Sequence, residues 1–279
     1  MKDGILLIDK PKGITSRDVV NMLCKQLNTK RIGHTGTLDP MATGLMVICV
    51  NKATKLVEFL TNHDKSYIAK VKLGLKTDTY DITGNIVEEN HNYQITKEEI
   101  ENVLKSFVGE YLQEVPIYSS IKVNGKRLYE YARKGEKVIL PKHLVEIKDI
   151  KLLEYNKDSF TFSVFVSKGT YIRSLVNDIS NRTGICMTLE ELRRITVDNF
   201  KIIEAKKVED ISYDDIIDIK KIINFPIIQV HDELEKKIRN GVKIKNTYNH
   251  DKVLFVDELG NNLAIYQEEN GYLKSYKGF

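Results

Sequence analysis

Apolar residues along the chain follow two patterns that predict β-strands. Unbroken apolar runs at residues 5–8 and 45–50 predict strands buried on both faces. Alternating apolar and polar residues predict half-exposed strands at 67–73 and within the stretch 144–166, most clearly over 160–166. Three shorter strand-like runs follow near the C-terminus, separated by Gly and Asn turns, at 253–256, 263–266 and 272–276.

Two helices in the first 110 residues are predicted from their start signals. Thr15 and Asp18 have the spacing of a capping box, in which each residue bonds the other's backbone N–H, and Thr96 and Glu99 have the same spacing. Apolar residues three or four positions apart follow each box, as expected for a helix with one buried face.

Helical patterns return in the second half of the chain. Residues 171–182 predict a helix that ends before Gly184, and residues 201–224 also favour helix. A further short helix is predicted with Asp232 as its N-cap and Gly241 just past its end.

The order of these elements predicts an α+β fold in two parts. Residues 1–224 are predicted to form a mixed α+β catalytic domain, and residues 225–279 a small, mostly β module. Phe225-Pro226 marks the boundary, because proline interrupts regular structure there.

The net charge of +4 and the pI of about 8.7 permit a nucleic-acid partner without requiring one. The distribution of charge is more informative. The segment from Lys122 to Lys151 contains nine basic residues and only four acidic ones. Three tyrosines lie in or just before it, at Tyr118, Tyr129 and Tyr131. Basic side chains bind phosphate and aromatic rings stack on unpaired bases, so this mixture suits folded RNA. A solvated lysine-rich face is the alternative.

Cysteine usage and hydropathy predict a cytoplasmic protein. The three cysteines are widely spaced, which favours reduced thiols over disulfides or a zinc site. The apolar run at 5–8 is too short for a signal peptide, and no stretch approaches the roughly 20 apolar residues of a membrane span. No histidine pair has metal-ligand spacing and no nucleotide-binding glycine motif is present, so neither a metal nor a cofactor is expected.

Residues 31–44 form the most unusual stretch, because three glycines, a proline and three threonines disfavour any regular element. His34 and Asp39 are its obvious candidates for chemistry. Asp39 before Pro40 could instead be a helix N-cap, although no helical periodicity follows. His34 could be an ordinary hydrogen-bonded loop histidine.

Residues 33–44 resemble the catalytic loop of the bacterial TruB-type tRNA pseudouridine-55 synthases. Other segments resemble that family's motifs in the same order, so that the resemblance extends over about residues 3–200. The tail after Pro226 is similar, more weakly, to the family's C-terminal RNA-binding module. The matching segments outside the loop are 3–4, 9–13, 64–67, 74–81, 116–133, 168–173 and 192–194.

The resemblance implies a pseudouridine-synthase catalytic domain with a mixed, largely antiparallel sheet, followed by a PUA-like module. It implies that Asp39 is the nucleophile or base that lets uracil detach from N1 and rejoin the ribose through C5. Arg173 would be its cationic partner, unless Arg173 merely pairs with Asp178. Tyr67 would pack against the target base, unless its ring only fills the core, and Leu192 would exclude water.

The same resemblance implies how RNA is held. The substrate would be the T-arm of tRNA, gripped by residues 116–151, including Lys122, Tyr129 and Arg133. His34 would occupy the space that the extruded uridine leaves, and Lys10 and Asp81 would support the site from behind. No membrane and no protein partner is expected, and the family suggests a monomer.

Three other readings are weighed against this one. A non-catalytic RNA-binding or tRNA-folding protein would need the basic segment but not Asp39, Tyr67 and Arg173 together. A glycosidase would normally need a second paired carboxylate, which is not evident, and the chain has no tryptophan for sugar stacking. The guide-RNA-dependent branch of the same family is disfavoured by the short tail and the lack of long basic extensions.

Overall fold

A computed structural model describes residues 2–61 and 63–279 of the chain. The regular elements follow one another in this order: β1 (Gly4–Lys10), α1 (Ser16–Gln26), β2 (Ile32–His34), β3 (Thr43–Val50), α2 (Val57–Thr61), β4 (Lys65–Leu73), β5 (Leu75–Thr77), β6 (Ile86–Glu89), α3 (Lys97–Lys105), β7 (Gly109–Glu114), β8 (Lys122–Val123), β9 (Lys126–Arg127), α4 (Leu128–Lys134), β10 (Lys142–Tyr155), β11 (Ser159–Val166), α5 (Ile172–Thr183), β12 (Met187–Val197), β13 (Phe200–Lys201), β14 (Lys206–Lys207), β15 (Ile217–Asp218), β16 (Ile227–Gln229), α6 (Asp232–Arg239), β17 (Ile244–Lys245), β18 (Lys252–Val256), β19 (Asn262–Glu269) and β20 (Tyr272–Gly278). Short 3₁₀ helices cover Asn51–Leu56, Ile202–Glu204, Val208–Asp210, Tyr213–Asp215 and Ile219–Lys221.

A large sheet organises the first 218 residues. Its strand order is β14-β1-β3-β12-β4-β11-β10-β7, with β2 and β15 added beside β3 and β1. Strand β12 runs parallel to β3, and β14 runs parallel to β1, whereas the other pairings are antiparallel. The predicted α+β class with a mixed, largely antiparallel sheet is confirmed.

Strand β1 is buried on both faces of this sheet, which explains its unbroken apolar run. Leu6 and Ile8 point to one core, which also contains α1, α3 and α5. Ile5 and Leu7 point to a second core on the opposite face. Successive side chains of a strand alternate between faces, so a strand between two cores must be apolar at every position.

The predicted start and stop signals of three helices are confirmed. Thr15 and Thr96 are the N-caps of α1 and α3, and both capping boxes are closed by Asp18 and Glu99. Gly184 ends α5 in the left-handed conformation, which glycine adopts without steric cost. A capping residue of this kind contributes about 1 kcal/mol to helix stability.

The C-terminal residues form a second sheet with strand order β16-β18-β19-β20-β17. Its apolar face packs on the large sheet, because Leu254, Val256 and Ile265 share the second core with Ile5 and Leu7. The three predicted C-terminal strands are confirmed as β18, β19 and β20. The domain boundary near residue 224 stays a prediction.

Residues 201–224 contradict the predicted helix. This segment contains the short strands β13, β14 and β15 with 3₁₀ turns between them. Strands β14 and β15 pair with the edge of β1 that β3 leaves free. Their backbone N–H and C=O groups bond to β1, so the same groups cannot form the hydrogen bonds of a helix. Pairing with the edge of β1 therefore outweighs the helical spacing of apolar residues in this segment.

The start of α6 also differs from the prediction by one residue. His231, in extended conformation, occupies the N-cap position, and Asp232 is the first helical residue. Asp232 still lies in the first turn, where a carboxylate interacts favourably with the helix dipole. Gly241 follows the end of the helix as predicted, with a φ of 69°.

Gly44 lies where β3 runs beside β12, and a side chain there has no room. A Cβ atom would come within 2.3 Å of the Arg194 carbonyl oxygen, and the φ of Gly44 is +103°. Gly13 has a similar φ of +95°, but nothing lies within 4 Å of its would-be Cβ.

We expect Gly13→Ala to lower the free energy of unfolding by about 1–2 kcal/mol, from backbone strain alone. Gly44→Ala should cost about 1–3 kcal/mol more, because the strands β3 and β12 must also separate. Urea unfolding of both variants measures the difference. Equal losses would contradict a close contact between these strands.

Candidate active site

A cleft of about 650 Å³ opens where the 35–42 loop meets the start of β4, the residues after β7 and the turn before α5. Its walls combine one carboxylate with several cations and hydroxyl groups. The charged and aromatic lining residues are Asp39, Lys65, Tyr67, Tyr118, Tyr129, His143, Lys168, Tyr171, Arg173 and Arg194.

Asp39 and Arg173 form a two-point ion pair in this cleft. Nε of Arg173 lies 2.8 Å from Oδ2 of Asp39, and Nη2 lies 3.2 Å from Oδ1. The arginine side chain is only 6% exposed, whereas 32% of the Asp39 side chain remains accessible. The planar guanidinium therefore fixes the carboxylate in one orientation while one side of it faces the cleft.

Arg173 also donates to two backbone carbonyls. Nη1 donates to the Thr79 carbonyl at 3.3 Å, and Nη2 donates to the Tyr118 carbonyl at 3.0 Å. Asp81 lies 3.8 Å from Nε. Helix α5 carries Arg173 on its buried face, so neither the arginine nor its partner is free to turn. Arg173 does not pair with Asp178 in the described part of the chain.

Asp81 supports Arg173 from behind. Its carboxylate accepts hydrogen bonds from Thr79 Oγ1 at 2.9 Å and from the Thr83 backbone N–H at 3.0 Å. Because the side chain is buried, its charge is not screened by bulk water. Arg173 thus lies between two carboxylates, of which only Asp39 lines the cleft.

The loop that carries Asp39 caps no helix. A turn follows Asp39, with the Ala42 N–H donating to the Asp39 carbonyl, and β3 begins at Thr43. The N-cap alternative is therefore wrong. The stretch is also more regular than predicted, because Ile32–His34 forms β2 and pairs with β3.

Lys10 holds this loop from inside the protein. Its fully buried ammonium donates to the carbonyls of Pro11, Ile14 and Pro40 at 2.9, 2.7 and 3.3 Å. Burial lowers the pKa of Lys10 to about 8, although the nearby charge of Asp39 opposes that shift. Lys10 thus fixes the residue next to Asp39 without reaching the cleft.

Tyr67 and Leu192 form an apolar wall on neighbouring strands. Strand β4 carries Tyr67 and the adjacent strand β12 carries Leu192; both side chains are buried and both line the cleft. The predicted alternation of β4 is confirmed, and it turns Tyr67 towards the same core as Ala69 and Val71. Tyr67 is therefore both a core residue and a residue of the cleft.

His34 does not line the cleft, although its neighbour Thr35 does. It is the last residue of β2, and its buried Nδ1 atom has no hydrogen-bond partner within the described part of the chain. Burial, followed by the charges of Arg194 and Arg17, lowers the pKa of His34. The imidazole is consequently biased towards its neutral form.

The basic segment after residue 116 forms the hairpin β8–β9 and the short helix α4. Tyr129 reaches the cleft, and the guanidinium of Arg133 lies 5.4 Å from the centre of its ring. Lys122 lies on the exposed part of the hairpin, away from the cleft lining. The structure thus brings Asp39, Tyr67, Arg173, Leu192 and Tyr129 to one cleft, whereas the other predicted residues surround it.

Two buried cations in the cleft were given no role from the sequence. Arg194 is 1% exposed and Lys65 is 9% exposed. The period-two pattern of β4 puts Lys65 on the buried face with Tyr67, and the same parity in β12 pairs Arg194 with Leu192. Extending that alternation by one step would have identified both.

Other kinds of site find no counterpart in residues 2–61 and 63–279. No three His, Cys, Asp or Glu side chains there are grouped so that they could hold a metal ion. No helix in these ranges is long and apolar enough to cross a membrane. Cys24, Cys49 and Cys186 are free thiols.

Comparison with known proteins identifies a matching family and similar bacterial proteins. The model of the TruB family pseudouridylate synthase N-terminal domain matches residues 24–172. A protein named tRNA pseudouridine synthase B from Clostridium tetani is 41% identical over 272 residues, covering 96% of this chain and 93% of its own. One of the same name from Caldicellulosiruptor saccharolyticus is 46% identical over 239 residues, covering 86% and 82%.

Solved structures with the same fold are more distant in sequence. A chain in the crystal structure of a Cbf5-Nop10-Gar1 complex superposes with a TM-score of 0.71 at 23% identity, covering 99% of this chain and 84% of its own. A chain in an H/ACA RNP bound to a substrate RNA containing 2′-deoxyuridine gives 0.70 at 22%, with the same coverage. These two likenesses concern the fold, whereas the family match and the bacterial relatives decide membership: this chain belongs to the TruB family of pseudouridylate synthases.

Proposed function

We propose that this protein isomerises uridine-55 in the T-loop of tRNA to pseudouridine, with Asp39 as the nucleophile. The observation that carries the proposal is the two-point ion pair between Arg173 and Asp39, which presents one carboxylate to a cleft bounded by Tyr67 and Leu192. The bacterial relatives named tRNA pseudouridine synthase B support tRNA as the substrate.

The reaction needs a carboxylate and no net oxidation or reduction. The bond from N1 of uracil to C1′ of ribose breaks, and a bond from C5 to C1′ forms. The proton on C5 is lost and N1 gains one, so atoms and electrons balance. Asp39 would attack the nucleotide covalently and leave again after the base has rotated, which divides one difficult step into easier ones.

Arg173 contributes orientation. Its planar fork matches both carboxylate oxygens, and its bonds to two backbone carbonyls prevent it from following Asp39 if the carboxylate moves. Preorganised groups of this kind reduce the reorganisation needed in the transition state. We assign Lys10 and Asp81 the supporting roles of holding the loop and the arginine.

The remaining residues of the proposal handle the base and the RNA. Tyr67 would stack on the uracil and accept the C5 proton, and Leu192 would exclude water. His34 would occupy the space that the extruded base leaves, which offsets part of the few kcal/mol lost in unstacking. The neutral bias of its imidazole suits packing between bases.

Residues 116–151 would grip the T-arm. Lys122 is exposed and suited to a phosphate contact, whereas Arg133 and Tyr129 together offer a cation and an aromatic face. Residues 225–279 would add a second RNA contact. The free thiols suit a cytoplasmic protein, and the resemblance to the family suggests a monomer.

Asp39→Asn should fold and bind tRNA yet lose at least about 10³-fold in turnover, because an amide is neither a nucleophile nor a base. Tritium release from C5-labelled uridine in unmodified tRNA transcript measures turnover. Asp158→Asn, whose exposed carboxylate pairs with Lys72 at 2.8 Å outside residues 116–151, is the control and should retain activity. Near-normal turnover in Asp39→Asn would remove Asp39 from the mechanism, and a silent wild-type enzyme would reject the proposal itself.

Arg173→Lys should lower kcat by about 10²-fold while the Kd for tRNA changes only a few-fold, because an ammonium cannot hold both carboxylate oxygens. Arg193→Lys is the matched control, and it should leave kcat unchanged. Arg193 makes a similar fork, with Asp9 at 2.7 and 3.0 Å, but lies outside the cleft lining. A loss confined to affinity would show that Arg173 binds RNA and does not orient Asp39.

Affinity for tRNA should fall steeply with salt, and Lys122→Ala should reduce the slope of log Kd against log salt by about 1. Lys97→Ala removes a lysine of α3 that faces Glu101, and it should leave the slope unchanged. Filter binding between low and moderate salt tests both. A salt-independent Kd would exclude the basic grip.

A further inference from the structure

Lys65 and Arg194 are two buried cations in the cleft without an acidic partner. Among the described residues, no carboxylate oxygen lies within 4 Å of the charged nitrogen atoms of either side chain. Arg194 donates from Nε to the Leu45 carbonyl at 2.6 Å and from Nη2 to the Gly36 carbonyl at 3.1 Å. Lys65 donates to the carbonyls of His63 and Thr61 at 2.7 and 3.4 Å.

Within residues 2–61 and 63–279, both cations have fewer acceptors than donors. An ammonium has three N–H donors, and Lys65 has two acceptors among these residues. The contact of Arg194 Nη1 with the Thr37 carbonyl, at 3.5 Å, is at the limit of a hydrogen bond. A buried charge held only by carbonyl dipoles is costly unless something else neutralises it.

Gly36 lies beside Nη1 of Arg194 and the side-chain carbon Cε of Lys65. A Cβ atom on Gly36 would lie 3.4 Å from Nη1 of Arg194 and 3.7 Å from Cε of Lys65. The missing side chain therefore leaves a small space lined by both cations. Gly36, Lys65, Arg194 and Asp39 all line the same cleft.

The charge near this niche is unbalanced. Asp39 and Asp81 are both close to Arg173, whereas Lys10, Lys65 and Arg194 are buried cations with no ion pair to another residue in the described ranges. Burial, followed by the charge of Arg194, lowers the pKa of Lys65 to about 8, and the more distant Asp64 only partly opposes this. An anion in the niche would relieve that repulsion.

We propose that Lys65 and Arg194, at the niche left by Gly36, form a binding site for one of the two backbone phosphates that flank the extruded uridine. This inference rests on the proposed function and deepens it. The cleft then has two parts: Asp39, Tyr67 and Leu192 receive the base and ribose, and the niche receives a phosphate. A bound phosphate would set the position of the ribose relative to Asp39.

Lys65 could instead have a purely structural role, in which its ammonium holds the carbonyls of Thr61 and His63 in place. The two roles differ in their response to the RNA. A structural role affects all substrates equally, whereas a phosphate site loses its contribution when that single phosphate is made neutral.

The test uses the full-length protein and a synthetic T-arm hairpin with the target uridine. A neutral methylphosphonate replaces the linkage on the 5′ side or the 3′ side of that uridine. We expect wild-type affinity to fall about 10-fold for one of the two replacements. Lys65→Met should also lower affinity about 10-fold for the all-phosphate hairpin. For the hairpin with the sensitive linkage made neutral, Lys65→Met should bind less than about 2-fold more weakly than wild type.

Lys70→Met is the matched control on the same strand. Lys70 pairs with Glu190 at 2.9 Å on the opposite face of β4, so this variant should bind like wild type and remain fully sensitive to the neutral linkage. Thermal unfolding of Lys65→Met should show no loss of stability, because an apolar side chain replaces an unpaired buried charge.

Gly36→Ala offers a second route that keeps both cations. The φ of Gly36 is not in the left-handed region and the added methyl group fits at ordinary contact distance, so this variant should fold. It should nevertheless lose about 10-fold in affinity for the all-phosphate hairpin, because the methyl group fills the niche.

Two results would overturn the phosphate site and support a structural role for Lys65. In the first, Lys65→Met lowers affinity by the same factor for the all-phosphate hairpin and for both neutral-linkage hairpins. In the second, Lys65→Met lowers affinity equally for all hairpins and also lowers the stability of the protein. Wild-type enzyme that binds the hairpin with this pattern but forms no pseudouridine would instead count against the proposed function alone. The two failures are therefore distinguishable in one set of measurements.

Discussion

Segments of the chain that are distant in sequence meet at the guanidinium of Arg173. It contacts Asp39 in the loop before β3, the Thr79 carbonyl after β5 and the Tyr118 carbonyl after β7. A guanidinium has a rigid arrangement of donors, so each segment can satisfy it only from one position. The cleft has its shape because these segments are held around one planar cation that α5 carries.

Electrostatic balance then decides what the cleft can hold. Arg173 is matched by Asp39 and Asp81, but among the described residues Lys65 and Arg194 donate only to backbone carbonyls. Burying unpaired charge opposes folding, and the large apolar cores on both faces of the main sheet have to offset it. A positively charged cleft with one accessible carboxylate suits a polyanion whose neutral base is the reacting part.

The second sheet packs directly on the first sheet at strand β1. Leu254 and Ile265 pack on Ile5 and Leu7, so the outer face of β1 is dry only while the C-terminal strands cover it. Contacts at α2 extend this junction, because Tyr276 packs edge-on against Phe59 and Lys277 pairs with Glu58. Helix α2 ends at Thr61, whose carbonyl faces Lys65 in the cleft. The C-terminal module is thus connected by packing to the cleft wall.

Local patterns determined most of the elements correctly. Alternation identified β4 and β11, unbroken apolar runs identified β1 and β3, and capping boxes identified the starts of α1 and α3. These features depend on neighbours a few residues apart, which the sequence displays directly. The motif resemblance further indicated Asp39 and Arg173 as partners, although they are 134 residues apart.

The errors and omissions arose where distant segments compete or combine. Residues 201–224 have helical spacing, yet the free edge of β1 takes their backbone into short strands. Alternation alone puts Lys65 and Arg194 on the buried faces of β4 and β12, but only the pairing of these two strands brings both side chains next to Gly36. The sequence by itself thus determined the local elements, and its motif pointed to Asp39, which the structure places in the cleft. Only the tertiary structure decided which buried charges lack a partner, because burial and pairing depend on residues that the chain brings together from far apart.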